Sequence, residues 1–291
     1  MIRDDDVPAW WQRLGLPGLI DIHTHFMPAR VMVAVWRYFD AAEKHYGVAW
    51  PVHYRGSDAE RVATLRALGV RRFTALVYPH KPGMAESLNA WARDFAAVTP
   101  DCVASGTFFP EPSALRYVRE AIDAGTGVFK VHVQVGGFDP RDELLDPVWG
   151  LLAEAGVPVV VHCGSGPLPG RHTGPGPFGA VLDAHPRLTA VIAHCGAPEF
   201  AEHLALAERH PNVHLDTTMV GTDFMNRLAP VPGDVVRRLG ELRDRVVLGT
   251  DFPNIPYAFA EQLAALERFG LGDNWLRAVC WQNGARLLGS P

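Results

Sequence analysis

Five side chains suited to holding a divalent ion stand where an apolar run gives way to a turn. His23 and His25 flank a threonine in Asp21-Ile22-His23-Thr24-His25. His162 lies between Val159-Val160-Val161 and Cys163-Gly164, His194 between Val191-Ile192-Ala193 and Cys195-Gly196, and Asp251 within Gly249-Thr250-Asp251-Phe252-Pro253. In an extended chain, residues two apart point the same way, so His23 and His25 can grip one ion. Neutral imidazole and carboxylate are the ligands a borderline ion such as Zn2+ prefers. A water on such an ion has its pKa lowered to roughly 7, which supplies hydroxide at neutral pH. An isolated His-x-His is as readily a pair of loop histidines with ordinary hydrogen bonds, so the question is whether the chain gathers all five residues.

The elements that must position them recur along the chain. Apolar or β-branched runs fall at 19–23, 72–78, 103–109, 127–133, 157–162, 189–194, 213–216 and 245–251. Between them lie segments of helical periodicity at 59–68, 85–98, 113–124, 144–155, 199–208 and 235–242, several ended by a glycine such as Gly69, Gly125 or Gly156. Such alternation calls for parallel strands with right-handed crossovers, and eight repeats close more naturally into a barrel than into an open doubly wound sheet. A chain of 291 residues, 48% apolar, is long enough for one such domain. The expectation is an α/β fold, a (β/α)8 TIM barrel of the metal-dependent hydrolase type, as a single domain over 1–291. Both kinds of sheet put their sites at the carboxyl ends of strands, where all five candidates would meet.

Three stretches exceed what a barrel needs: 26–57, 163–178 and 217–233. The first reads as a lid-like insertion, with 29–46 apolar enough around Trp36, Tyr38 and Phe39 to form a covering helix. The second is irregular with Gly and Pro. The last helix, about 273–288, is expected on the barrel exterior.

HTH after the first strand, HCG after the fifth, HCG after the sixth and GTDFP after the eighth resemble the amidohydrolase superfamily, over about residues 19–255. Within it the chain is most similar to the amidohydrolase-related branch that includes aminocarboxymuconate semialdehyde decarboxylase and the resorcylate-type decarboxylases alongside many hydrolases. The resemblance implies that His23, His25, His162 and Asp251 hold one ion, most simply Zn2+, and that His194 sits beside its water as an acid or base. It also makes Lys130 ambiguous, because a fourth-strand lysine in some members is carboxylated and bridges two ions. The residues alone allow two other roles for Lys130, reaching a substrate carboxylate or pairing with an acid. A mononuclear site is the default, and the branch implies a possible homodimer.

A second tier of substrate-binding candidates comprises Lys130, His132, Arg171, His172, Trp36 and Phe252, with Arg37 as a further cation. Arg171 and His172 stand in the Gly/Pro loop, where a guanidinium can take a carboxylate in two hydrogen bonds, or simply face solvent. Cys163 and Cys195 follow proposed ligands but face the other side of their strands, so they are expected as small buried packing residues.

A net charge of −5 gives no basic field for nucleic acid, which leaves a small molecule as the expected partner. No apolar run reaches the roughly 20 residues that cross a bilayer. Four cysteines without a CxxC pair, and acids at Asp4, Asp5 and Asp6 where a signal peptide would be basic, fit a soluble cytoplasmic protein.

The chemistry that follows is hydrolysis of an amide, ester or lactone on a small carboxylate-bearing substrate, with Asp251 and His194 as catalytic groups. Non-oxidative decarboxylation of an aromatic or muconate-type acid uses the same ligands. The rival readings are a degenerate non-catalytic binding barrel and a metal-independent hydrolase of the same fold.

Overall fold

The computed structural model describes residues 2–290. Its strands are β1 (Leu19–Asp21), β2 (Val70–Thr74), β3 (Cys102–Val103), β4 (Ser105–Thr107), β5 (Val128–His132), β6 (Val159–His162), β7 (Ala190–Ile192), β8 (Val213–Asp216) and β9 (Val246–Val247). Neighbours pair in parallel in chain order, β1–β2–β3 in one ladder and β4 through β9 in another. β3 and β4 are halves of one expected strand. The ladder breaks at Ala104 because the Ser105 hydroxyl takes backbone partners, accepting from Ala75 N–H at 3.1 Å and donating to Val103 O at 3.1 Å.

At the other seam Ile22 N–H donates to Leu248 O (2.9 Å), Asp251 N–H to His23 O (2.9 Å) and His25 N–H to Phe252 O (2.7 Å). Thr24 and Phe252 form a parallel bridge there. The ring of eight strand positions is thus the TIM-barrel fold the alternation predicts, and this seam sets the His-x-His segment against Asp251.

Inside the ring, Ile20, Ile22, Leu76, Val103, Val128, Val160, Val191 and Val247 form an apolar layer. β8 gives it no apolar side chain: Val213 and Leu215 belong to the outer core, so alternation turns His214 and Asp216 inward. The chain's end closes the floor of this layer. Leu288 joins it, with Trp281, Ala285 and Leu287 packed against it. The single exterior helix expected over 273–288 is therefore corrected. The segment consists of helices Asp273–Arg277 and Asn283–Leu288 joined by a π turn at Ala278–Gln282. It is tied in by Leu248 N–H to Val279 O (3.0 Å) and by the Asn283 amide to Val246 O (2.6 Å). Its periodicity says that one face is buried; only the tertiary structure says against what.

The long connection after β1 holds two helices, Ala29–Asp40 and Ala42–Tyr46, where one was expected; the helical bonding breaks at Ala41. It packs through Trp36, Phe39, Tyr46 and Trp50 on Met219, Phe224, Ile255 and Tyr257, which lie beyond β8 and β9. The next helix, Asp58–Ala67, opens with a capping box in which the Ser57 hydroxyl accepts from Glu60 N–H (3.3 Å) and the Glu60 carboxylate from Ser57 N–H (2.8 Å). Among the described residues no helix is long and apolar enough to cross a membrane.

Candidate metal centre

The strand ends bring His23, His25, His132, His162, His194, Lys130 and Asp251 into one buried cluster. Ring centroids of His23 lie 5.1 Å from His25 and 5.2 Å from His194, and His162 is 4.7 Å from His194. One donor atom each from His23, His194 and Asp251 falls within 4.8 Å of the others. Asp251 Oδ1 is 2.9 Å from His25 Nε2 and 3.5 Å from His23 Nε2.

The tautomers follow from the partners. A carbonyl or carboxylate oxygen can only accept, so the ring nitrogen facing it must carry the proton. His23 Nδ1–H donates to Asp216 Oδ2 (2.8 Å), His25 Nδ1–H to Leu76 O (2.8 Å) and His194 Nδ1–H to Thr218 O (3.1 Å). Each neutral ring therefore keeps its lone pair on Nε2. For His25 that lone pair faces a carboxylate oxygen at 2.9 Å, an arrangement of two acceptors that a cation between or beside them makes favourable. The donor chemistry thus fits a divalent ion held by Nε2 atoms and Asp251.

His162 is oriented differently. Its Nε2–H donates to Gly166 O at 2.9 Å, and its ring stacks on that of His132 at 3.8 Å, the two being partners in the β5–β6 register. His132 Nδ1 in turn accepts from Val135 N–H at 3.3 Å. Lys130 has no exposed surface and no carboxylate within ion-pair reach among the described residues; its ammonium donates to His23 Nε2 at 3.1 Å.

Burial lowers the affinity of these imidazoles for a second proton, taking His23 to about 3 with Lys130 adding to the effect, and depressing His132, His162 and His194. Burial also lowers Lys130, to about 8, against the pull of Asp216 and Asp251. Burial alone would raise the carboxyl of Asp216, but the His23 ring more than offsets it and holds it below the ordinary range.

The backbone here is strained. His194, Cys195 and Asp251 have φ of 56°, 50° and 70°, in the left-handed region that non-glycine residues rarely adopt. The turn at His194 is held by Asp216 Oδ1, which accepts from His194 N–H (2.8 Å) and Thr218 N–H (3.1 Å), and by the Cys195 thiol donating to Asp216 O (3.1 Å). Cys163 and Cys195 are buried free thiols, as expected. Gly249 is obligatory, since a Cβ there would sit 2.2 Å from Thr218 Oγ1 and 2.8 Å from His23 Cβ.

Of the second tier, Trp36 donates its indole N–H to Asn254 Oδ1 (3.2 Å), three residues past Asp251. His172 Nδ1 lies 3.3 Å from Asp139, while Arg171 and Arg37 are exposed. Phe252 has no exposed surface and packs with Phe26 and Tyr54 in the outer core, so it supports Asp251 from behind instead of facing a solute. Two residues were missed. Tyr78 stacks edge-on to His25 (5.5 Å) and leans on His132 (5.2 Å). Asp216 ends the run Val213-His214-Leu215-Asp216, a polar strand end of the same kind as those singled out, but with no glycine after it to draw attention.

A parallel α/β barrel whose strand ends gather imidazoles and a carboxylate is the architecture of the amidohydrolase-type barrels. The chain belongs to the amidohydrolase family, whose model matches residues 20–290. No curated protein matches it. Among solved structures it is similar to an uncharacterized TIM-barrel protein from Bordetella bronchiseptica, with a TM-score of 0.75, 21% identity and coverage of 93% of this chain and 98% of that one. It is also similar to 5-carboxyvanillate decarboxylase from Sphingomonas paucimobilis (0.64, 15%, 94% and 99%). A third is a probable 2-pyrone-4,6-dicarboxylic acid hydrolase from Acinetobacter baumannii, solved with citric acid bound (0.65, 11%, 94% and 100%). At these identities the likeness is one of fold.

Proposed function

We propose that this amidohydrolase-family chain is a metal-dependent hydrolase acting on an amide, ester or lactone of a small carboxylate-bearing molecule. The observation that carries the reading is the convergence of the unprotonated Nε2 atoms of His23, His25 and His194 on Asp251. His23, His25 and Asp251 would hold the ion, with His162 as the fourth donor once its Nε2 leaves Gly166 O. One Zn2+ or similar ion, when bound, lowers the pKa of water to roughly 7 and polarises a carbonyl.

Asp251 would serve as the base that takes the water's proton and the acid that returns it to the leaving group. His194, its ring fixed by Thr218 O, would orient the water and steady charge developing on the substrate oxygen. In this reading Lys130 is an uncarboxylated ammonium, and Arg171, exposed in the Gly/Pro loop, is the candidate to take the substrate's carboxylate.

Decarboxylation of a planar acid is the second reading, favoured by the aromatic roof of Trp36, Phe39, Trp50 and Tyr257 over the loops after β8 and β9. Metal per chain, measured by plasma mass spectrometry on protein prepared without chelator or nickel, tests the common core. About one ion per chain, lost in His23→Ala and Asp251→Ala, is expected. A folded, active sample free of metal would overturn the reading. Turnover of lactones and esters against aromatic acids then separates the two reactions.

A further inference from the structure

We infer that Asp216 is a positioning residue that sets both the tautomer of His23 and the placement of His194, so that one carboxylate aligns two of the converging imidazoles. This rests on the metal reading above and assigns a role to a residue outside the proposed ligand set.

The two oxygens of Asp216 divide the work. Oδ2 accepts from His23 Nδ1–H at 2.8 Å, which leaves the Nε2 lone pair free. Oδ1 accepts from the backbone N–H groups of His194 and Thr218, at 2.8 and 3.1 Å, and so holds the left-handed turn that carries the His194 ring. Thr218 then returns its own carbonyl to His194 Nδ1–H. Asp216 is fully buried, so water cannot substitute for either oxygen. A carboxylate behind an imidazole also raises the basicity of its far nitrogen, and loss of such a partner typically weakens metal binding 10- to 100-fold.

Asparagine at this position cannot do both tasks. Its amide oxygen is needed by the two backbone donors, which puts the NH2 group against His23 Nδ1. That nitrogen must then accept, and the ring proton moves to Nε2, where an ion would bind.

The test uses Asp216→Asn and wild type, both metal-free and labelled with 15N in histidine, with ring tautomers read from long-range proton–nitrogen correlations. Zn2+ affinity is measured by competition with a chromophoric chelator. The expected result is His23 with Nδ1–H in wild type and Nε2–H in the variant, and a Zn2+ dissociation constant about 10- to 100-fold higher. A folded variant that keeps the Nδ1–H tautomer and binds Zn2+ within about twofold of wild type would overturn the inference, because a purely structural carboxylate predicts that outcome. If the variant does not fold, wild type decides: Nδ1–H on His23 supports the assignment and Nε2–H overturns it. A tautomer that inverts in a protein whose wild type binds no Zn2+ would leave the positioning role standing and remove the metal reading.

Discussion

Acid should destabilise this protein through a histidine outside the proposed ligand set, two residues before Asp216 on the inward face of β8, and the size of the effect can be worked out. His214 is an inward residue of β8 in an otherwise apolar interior layer, partly buried, and among the described residues its Nδ1 has no hydrogen-bond partner. Burial, reinforced by Arg245 and Arg286, lowers its pKa from 6.5 to about 4. A base whose folded pKa is depressed takes up a proton more readily in the unfolded chain. Stability is therefore unaffected above about pH 7.5 and is lost as pH falls through 6.5 toward 4. At ~1.4 kcal/mol per unit, the loss attributable to His214 is ~2 kcal/mol at pH 5. Other buried histidines also contribute to acid sensitivity, so the comparison must be with His214→Leu, which keeps the volume and removes the titration. Urea denaturation of both metal-free proteins between pH 7.5 and 5 reads the difference directly. The two should lie within about 1 kcal/mol at pH 7.5, and the variant should be ahead by a further ~2 kcal/mol at pH 5. A stability difference flat across that range, to within about 0.3 kcal/mol, would refute the assignment of a buried, neutral His214.

Gly249→Ala, whose Cβ would press on Thr218 and His23, should cost about 1–3 kcal/mol in urea denaturation and weaken metal binding with it. Leu288→Ala, at the barrel floor, should cost about 2 kcal/mol, the low end for a buried leucine because the helix ends there. Lys130→Met should retain about one ion per chain, with no carbamate signal from 13C-bicarbonate in wild type; two ions falling to one would instead make Lys130 a bridge. His194→Ala should keep its ion and lose turnover, while His162→Ala loses the ion. The reverse pattern by mass spectrometry and kinetics would exchange their roles and favour the cluster of His23, His194 and Asp251.

The barrel and its mouth were legible because their signals are local. Each apolar run ends in its polar residue, and eight alternations leave few topologies, so the candidates had to converge. What the sequence withheld depends on partners far along the chain. Asp216 meets His23 across 193 positions, and a strand-end aspartate gives no sign whether it faces solvent, an ion or an imidazole. His162 reads as a ligand from its motif, yet Gly166 O takes its Nε2 because the Gly/Pro loop folds back to within reach, and no periodicity governs such a loop. Even so, period-two alternation in Val213-His214-Leu215-Asp216 already puts His214 and Asp216 on one face. Once Asp216 is known to point inward, His214 must as well.

The charge of the cluster also argues for a cation. His23, His132, His162 and His194 are held neutral by burial; Asp216 and Asp251 are both ionised, and among the described residues Lys130 supplies the only buried ammonium beside them. Two carboxylates against one ammonium leave an excess negative charge in the cluster, which the hydrogen bond from His23 to Asp216 offsets in part and a bound cation would offset further. The left-handed backbone at His194 and Asp251 adds about 1–3 kcal/mol each. A fold that retains this much unfavourable electrostatics and strain at one place is explained if something positive binds there. The linkage then has a definite sign: an ion that binds only the folded chain stabilises it by ~4 kcal/mol at a thousandfold excess over its dissociation constant. Chelation should therefore lower the melting temperature of wild type but leave that of Asp251→Ala, which lacks both the excess charge and the ligand, unchanged.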